Sequence, residues 1–212
     1  NINGSLSFRT DYVEPESPTE DRYLIRSIGT RLSYDTRDFW MNPTEGENLV
    51  LGVNTSSKLL GATIEFTKLS LSASKFHPIK QDVILAMRAN YDDAYGTIFD
   101  TERYFLGGGT TVRGYPDGSP VGKGGRRAMV NLEVRFLMDA FQFVVFYDAG
   151  KIGTGNNTST FEGGELGRRI LTGKGVGVRL MTPMGPLRFD YAWGDGHTDG
   201  AGIIHFNIGH TF

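Results

Sequence analysis

Few residues of this 212-residue chain stand at spacings that could do chemistry. Gly173–Val178 reads GKGVGV, which has the glycine density of a phosphate-cradling loop. No GK[ST] ending appears and no helical pattern follows, so nucleotide binding is not expected. The histidines at 77, 197, 205 and 210 are scattered. Only His205 and His210 lie close, and strand alternation sends them to opposite faces; surface or rim positions are expected for all four, not a metal site. Ser5, Ser7 and Asp11 share one strand face, yet no histidine joins them and no nucleophile elbow occurs, so an enzyme is not expected. Cysteine is absent, which removes disulfides and thiolate ligands. No catalytic residue, metal or cofactor is expected. One cation stands apart. Arg113 lies between Val112 and Gly114-Tyr115 in the glycine-rich excursion LGGGTTVRGYPDGSPVGKGGRRA, Leu106–Ala128. Glycine lets backbone approach a wall closely, at an entropic cost that specific contacts must offset. A guanidinium accepts burial only with carboxylate partners, ideally bidentate ones; otherwise it is a solvated loop residue.

The elements that would position this arginine are strands. Apolar and polar residues alternate with a period near two in Ile2–Val13, Tyr23–Asp35, Asn48–Thr55, Ala62–Ala73, Asp82–Asp92, Ala128–Met138, Phe141–Gly150, Gly173–Met181, Pro186–Trp193 and Ile203–Phe212. This gives about ten strands, with eight as the alternative count. The fourth shifts phase near Thr67–Lys68, from Ile64 and Phe66 to Leu69 and Leu71, which suggests a bulge. Arg26 interrupts the apolar face of the second strand and is expected at its rim. Connectors alternate between short turns (77–80, 138–140, 182–185) and longer loops (93–127, 151–172, 194–202). Segment 36–46 is long for a turn and 56–61 short for a loop. A single domain over 1–212 is expected. The net charge of −2 gives no basic excess for nucleic acid. Without an initiator Met, the chain is expected to be a mature or trimmed form.

Strand lengths near 9–11 residues and the short-turn, long-loop asymmetry fit a transmembrane antiparallel β-barrel. A soluble sandwich would alternate too. Aromatics at the strand ends favour the barrel: Tyr12, Tyr34, Phe66, Tyr91, Phe136, Phe141, Trp193 and Phe212 are placed as an interfacial girdle would be. The last strand adds weight. Ile204, Phe206, Ile208 and Phe212 share an apolar face, Gly209 precedes the end, and so apolar an edge would be a liability in water.

Four motifs follow one another in the second half: VRGY (Val112–Tyr115), FYDAG (Phe146–Gly150), GKGVGVRLMTPMGPLRFDYA (Gly173–Ala192) and HFNIGHTF (His205–Phe212). Together, over about 106–212, they resemble the C-terminal barrel of the BamA/TamA-type outer-membrane assembly factors, the bacterial surface antigen family. The resemblance implies that the VRGY loop folds back into the barrel lumen. It implies that Arg113 pairs there with acidic wall residues, Asp190 and, less firmly, Asp148. Parity agrees for Asp190, which shares a face with Arg188 and Ala192; Val144 and Phe146 make Asp148's face more apolar than a lumen wall should be. The implied function is insertion or assembly of outer-membrane proteins in the bacterial outer membrane. It would work through a lateral seam between first and last strands, with Ile204, Phe206, Ile208, Gly209 and Phe212 on the last. The last strand also looks like the C-terminal assembly signal of outer-membrane proteins. The alternative is a translocator or anchor barrel for a passenger domain. Expected partners are outer-membrane lipid, unfolded outer-membrane clients or a passenger, and no nucleic acid. Members carry POTRA domains before about sixteen strands; this sequence begins in a strand and supplies about ten, so either a fragment or a reduced member without POTRA domains is expected. Closure of the first strand onto the last, or a homo-oligomer, is therefore expected, because open edges are costly in lipid.

Overall fold

A computed structural model of the chain describes residues 1–14, 22–117, 123–154, 169–183, 185–195 and 201–209. Among these residues the wall is one antiparallel sheet of ten strands. In chain order they are β1 (Ile2–Val13), β2 (Tyr23–Asp35), β3 (Gly46–Ser56), β4 (Phe66–Lys80), β5 (Val83–Gly96), β8 (Arg126–Met138), β9 (Phe141–Gly153), β10 (Leu171–Thr182), β11 (Gly185–Gly194) and β12 (Ile203–Ile208). Two short strands, β6 (Tyr104–Phe105) and β7 (Lys123–Gly124), pair with each other inside the loop between β5 and β8. Each wall strand pairs with its sequence neighbour, so every connection is a hairpin or a loop that returns beside its origin.

Period-two alternation divides the sheet into two faces. On β9 the outward Phe143, Val145 and Tyr147 are about half exposed, whereas the inward Val144, Phe146 and Asp148 are buried. On β11, Phe189, Tyr191 and Trp193 point outward, while Arg188, Asp190 and Ala192 point inward. The outward belt continues through Leu132, Leu71, Leu51, Leu32 and Leu6 to the first strand. Such a surface is apolar on the wrong side for a soluble sheet, and right for a wall facing lipid. The inward face carries charge and glycine, and the loop between β5 and β8 covers it.

Four features differ from the sequence expectations. First, β1 and β12 form no ladder with each other, so the sheet is open, and β1 is exposed along nearly its whole length. Among the described residues the expected closure of first strand onto last does not form. Second, β4 runs Phe66–Lys80, not Ala62–Ala73, and its ladder with β3 is unbroken at Thr67–Lys68. The register irregularity lies instead at Pro78–Lys80, inside what the sequence suggested as a turn; a proline without an N–H breaks the ladder there. Third, Phe66 belongs to no outward girdle. It faces inward, 3% exposed, packed with Tyr23, Ile25, Ile64, Ala94 and Ile98 at the loop end of the wall. This inward apolar cluster explains the apparent phase shift. Fourth, the last strand stops at Ile208, with Gly209 beyond it at φ +89°. Phe212 and His210 lie outside the described residues, as does His197.

Segment 36–45 is long because it is built. The Asp38 carboxylate accepts from the Thr44 hydroxyl at 2.6 Å and the Thr44 N–H at 2.9 Å, and the Gln142 amide donates to Asn42 Oδ1 at 3.0 Å. The turn thereby reaches across the sheet to the inward face of β9.

Candidate functional site: a buried arginine centre beneath the returning loop

The loop between β5 and β8 turns tightly before it reaches the wall. The Gly107 N–H donates to Thr111 Oγ1 at 2.9 Å, the Thr111 hydroxyl donates back to the Gly107 carbonyl at 2.8 Å, and the Gly108 N–H meets the Val112 carbonyl at 3.1 Å. Gly107 and Gly108 take φ of +116° and +100°, open to glycine and strained for side chains with a Cβ. The knot drives Leu106 and Val112, both fully buried, against Met129, Ile152, Leu171 and Tyr115. It leaves Arg113 aimed along the inner wall, 2% exposed.

Every guanidinium nitrogen of Arg113 meets a carboxylate. Nε and Nη2 donate to the two oxygens of Asp148 at 2.7 and 2.9 Å, a bidentate fork. Nη1 donates to Glu133 Oε1 at 2.7 Å and to Asp190 Oδ2 at 3.4 Å. The backbone N–H of Arg113 also reaches Asp148, at 3.1 Å. The Phe146 ring lies 3.4 Å from the guanidinium carbon. Val144 and Phe146 therefore belong on the inner face: one packs with Ala192, the other is the platform under the cation. The ranking suggested by the sequence is reversed, with Asp148 the main partner and Asp190 the secondary one.

The wall carboxylates are themselves shared. Arg179 on β10 donates to Asp190 at 2.5 Å and to Glu133 at 3.3 Å, Arg188 to Asp190 at 3.1 Å, and Arg135 to the second Glu133 oxygen at 2.9 Å. Asn131 bridges wall and loop, donating to Asp148 at 2.8 Å and to the Thr111 carbonyl at 2.7 Å while accepting from Arg88 Nε at 3.1 Å. Arg88 Nη2 in turn holds the Thr110 carbonyl at 2.8 Å. Glu133, Asn131, Arg88, Arg135 and Arg179 were not singled out from the sequence. Period-two parity on β8 was the available signal, because Glu133 alternates with the outward Leu132 and Val134.

Glycines make the room. Up to Arg179, the inward positions of β10 are Leu171, Gly173, Gly175, Gly177 and Arg179. A Cβ on Gly173 would collide with the Arg113 carbonyl oxygen, and one on Gly177 with Asp190 Oδ1. GKGVGV is thus the groove in which the loop lies. Gly114, at φ +89°, packs on the backbone of Trp193 and Gly194, and Tyr115 donates its hydroxyl to the Thr172 carbonyl at 2.9 Å. The Gly114 N–H ends on His205 Nε2 at 3.1 Å. His205 is 5% exposed, so it is a luminal residue and not a surface or rim one. Ile204, Phe206 and Ile208 of the same strand face outward, exposed.

Between β1 and β5 the inward face is polar and less filled. A cavity of about 570 Å³ is lined by Arg31, Asn54, Lys68, Asn90, Asp92 and Tyr104 among others. At its loop end Glu102 binds Lys68 at 2.6 Å and Arg9 at 2.9 Å. The Tyr104 ring lies between Lys68 and Arg127, 5.2 and 5.4 Å from their charged groups, and burial pushes its phenol up to about 12.

Comparison with known proteins agrees with this geometry. The Omp85 superfamily domain matches residues 3–212. Outer envelope protein 80, chloroplastic, of Arabidopsis thaliana is 38% identical over 114 residues, covering 51% of this chain and 15% of that protein. Outer membrane protein assembly factor BamA of Nitratidesulfovibrio vulgaris is 27% identical over 203 residues, covering 86% of this chain and 25% of that protein. The crystal structure of BamA from Haemophilus ducreyi lacking POTRA domains 1–3 superposes with a TM-score of 0.68 at 16% identity, over 92% of this chain and 44% of that one. The chain spans a quarter or less of the length of these two sequence relatives.

Proposed function

This chain belongs to the Omp85 superfamily, and from that premise we propose that it acts in the insertion or assembly of β-barrel proteins in an outer membrane. One relative is by name an assembly factor of a bacterial outer membrane, another a protein of the chloroplast outer envelope. A bacterial outer membrane is our reading, favoured by the match along 86% of the chain. The observation that supports this reading is the VRGY loop seated on the inner wall, with Arg113 held by Asp148, Glu133 and Asp190 and Gly114 held by His205 of β12. Among the described residues no strand covers the outer side of β1 or of β12. In hydrocarbon each unpaired N–H and C=O costs several kcal/mol, so an incoming strand is stabilised as soon as it pairs with either edge. Ile204, Phe206, Ile208 and Gly209 lie on one side of this seam, Ser5–Arg9 on the other. The seated loop with Val112, Arg113, Gly114 and Tyr115, tied to Asp148 and Asp190, keeps the wall behind β12 rigid while the edge works.

The test uses liposomes containing the protein and an unfolded outer-membrane client. The native chain has no cysteine. Single cysteines at Ser5, Ser7 or Asn207 should therefore form mixed disulfides with cysteines in a client's terminal strand where Cα atoms come within about 7 Å. Insertion that proceeds with no adduct at either edge would refute the seam. The cavity of about 570 Å³ favours a second reading, a translocator or anchor barrel; passage of a passenger without client insertion would select it.

A further inference from the structure

Along the outward face of strands β8–β12 two charges have no ion-pair partner among the described residues, Lys151 and Lys174. The other outward cation there, Arg126, is held by Asp93 at 2.7 Å. Lys174 is the better placed of the two lysines. It stands opposite Tyr147 on β9 and Trp193 on β11, both outward, with Tyr191 edge-on to Trp193 at 4.6 Å. Tyrosine and tryptophan concentrate at the level of lipid headgroups. Below the lysine, toward the turn end, the next outward residues of β10 are Val176 and Val178. They are small, and larger neighbours rise on both sides. The result is an apolar groove of about 510 Å³, walled by Phe143 and Val145 on one side and Phe189 and Tyr191 on the other.

A lysine on a lipid-facing strand is unfavourable unless its head reaches the interface and meets a counter-charge. Among the described residues none meets Lys174 with a counter-charge, and a lipid phosphate would supply one. We infer that Lys174 and the Val176–Val178 groove form a binding site for one phosphate-bearing lipid. The ammonium donates to the phosphate, and one acyl chain lies in the groove. Charge and shape complement each other in the right order: cation and aromatic rings at the headgroup level, and beneath them a lining that is apolar except for the inward Asp190 at its floor.

This inference rests on the reading of the chain as a membrane barrel, and the experiment separates the two. The protein is placed in nanodiscs of phosphatidylcholine with and without phosphatidylglycerol, and retained lipid is counted by native mass spectrometry. Wild type should keep phosphatidylglycerol selectively. Lys174→Ala should weaken that retention about fivefold, the weight of one lysine near a charged surface. Val176→Trp, which fills the groove and leaves the cation, should weaken it as well. Lys151→Ala should change it less. Equal retention by wild type and both Lys174→Ala and Val176→Trp would overturn the site. So would loss on Lys174→Ala alone together with displacement by inorganic phosphate, which would mean a headgroup contact without a chain. A chain that retains no lipid of any class would overturn the membrane reading, and this inference with it.

Discussion

Arg113 is the residue on which loop and wall depend together. Its three acidic contacts differ in kind: Asp148 takes a fork and a backbone N–H, whereas Asp190 is shared with Arg179 and Arg188. Removing one partner of a buried charge set leaves the others uncompensated, at about 3–5 kcal/mol. Arg113→Ala should therefore lower the urea unfolding free energy of the detergent-folded protein by that much, and its midpoint in proportion, read from its altered migration on unboiled gels. Arg113→Lys should recover only part, since an ammonium cannot form the fork. Lys123→Ala, at an exposed ion pair with Asp100, should change the midpoint little. A midpoint for Arg113→Ala equal to that of Lys123→Ala would mean the loop is not held by this centre. The two aspartates should separate in protease protection. Asp148→Asn should expose the loop, and Asp190→Asn should destabilise the wall while Asp148 and Glu133 still hold Arg113. Arg113 and its two aspartates were legible in sequence through motif order. Glu133 and Asn131 were not, because which inward residues meet depends on register, Asn131 opposite Asp148 and Glu133 opposite Phe146.

At the scale of the element, β10 shows how a strand of weak intrinsic propensity is kept. Its inward glycines contribute no packing of their own, and glycine in a strand is normally destabilising. The loop supplies the missing contacts, so strand and loop stabilise one another. Gly173→Ala should accordingly cost about 1–3 kcal/mol through overpacking, and should raise the rate at which protease cuts the loop. Gly52→Ala on β3, where a Cβ would find Ser70 at an ordinary 3.8 Å, should be neutral or mildly stabilising in the same assays. Equal behaviour of the two would show that the loop is not seated on β10. Strands were readable because one face is apolar and the other polar nearly throughout. The reading failed at β4, where inward Ile64 and Phe66 imitate an outward face. Periodicity detects a change of face but does not say which side the core lies on.

At the scale of the whole molecule the described strands form an open wall whose two edges differ. The edge-directed amides of β1 should exchange with deuterated solvent near unstructured rates when the detergent-folded protein is examined by mass spectrometry, while those of β8 and β9 are protected. Protection of β1 equal to that of β9 would mean that another strand covers it. The other edge is not free in the same sense, because His205 of β12 accepts the Gly114 N–H at 3.1 Å. Loop and terminal strand then form a linked equilibrium, and linkage is reciprocal. Whatever draws β12 away from its place must loosen the loop by the same free energy with which a loosened loop frees β12. A client pairing at β12 would thus be felt at Arg113, and His205→Gln, which keeps an acceptor, should preserve that communication. His205→Leu should sever it, so that protease cuts the loop at one rate whether or not a client strand is bound.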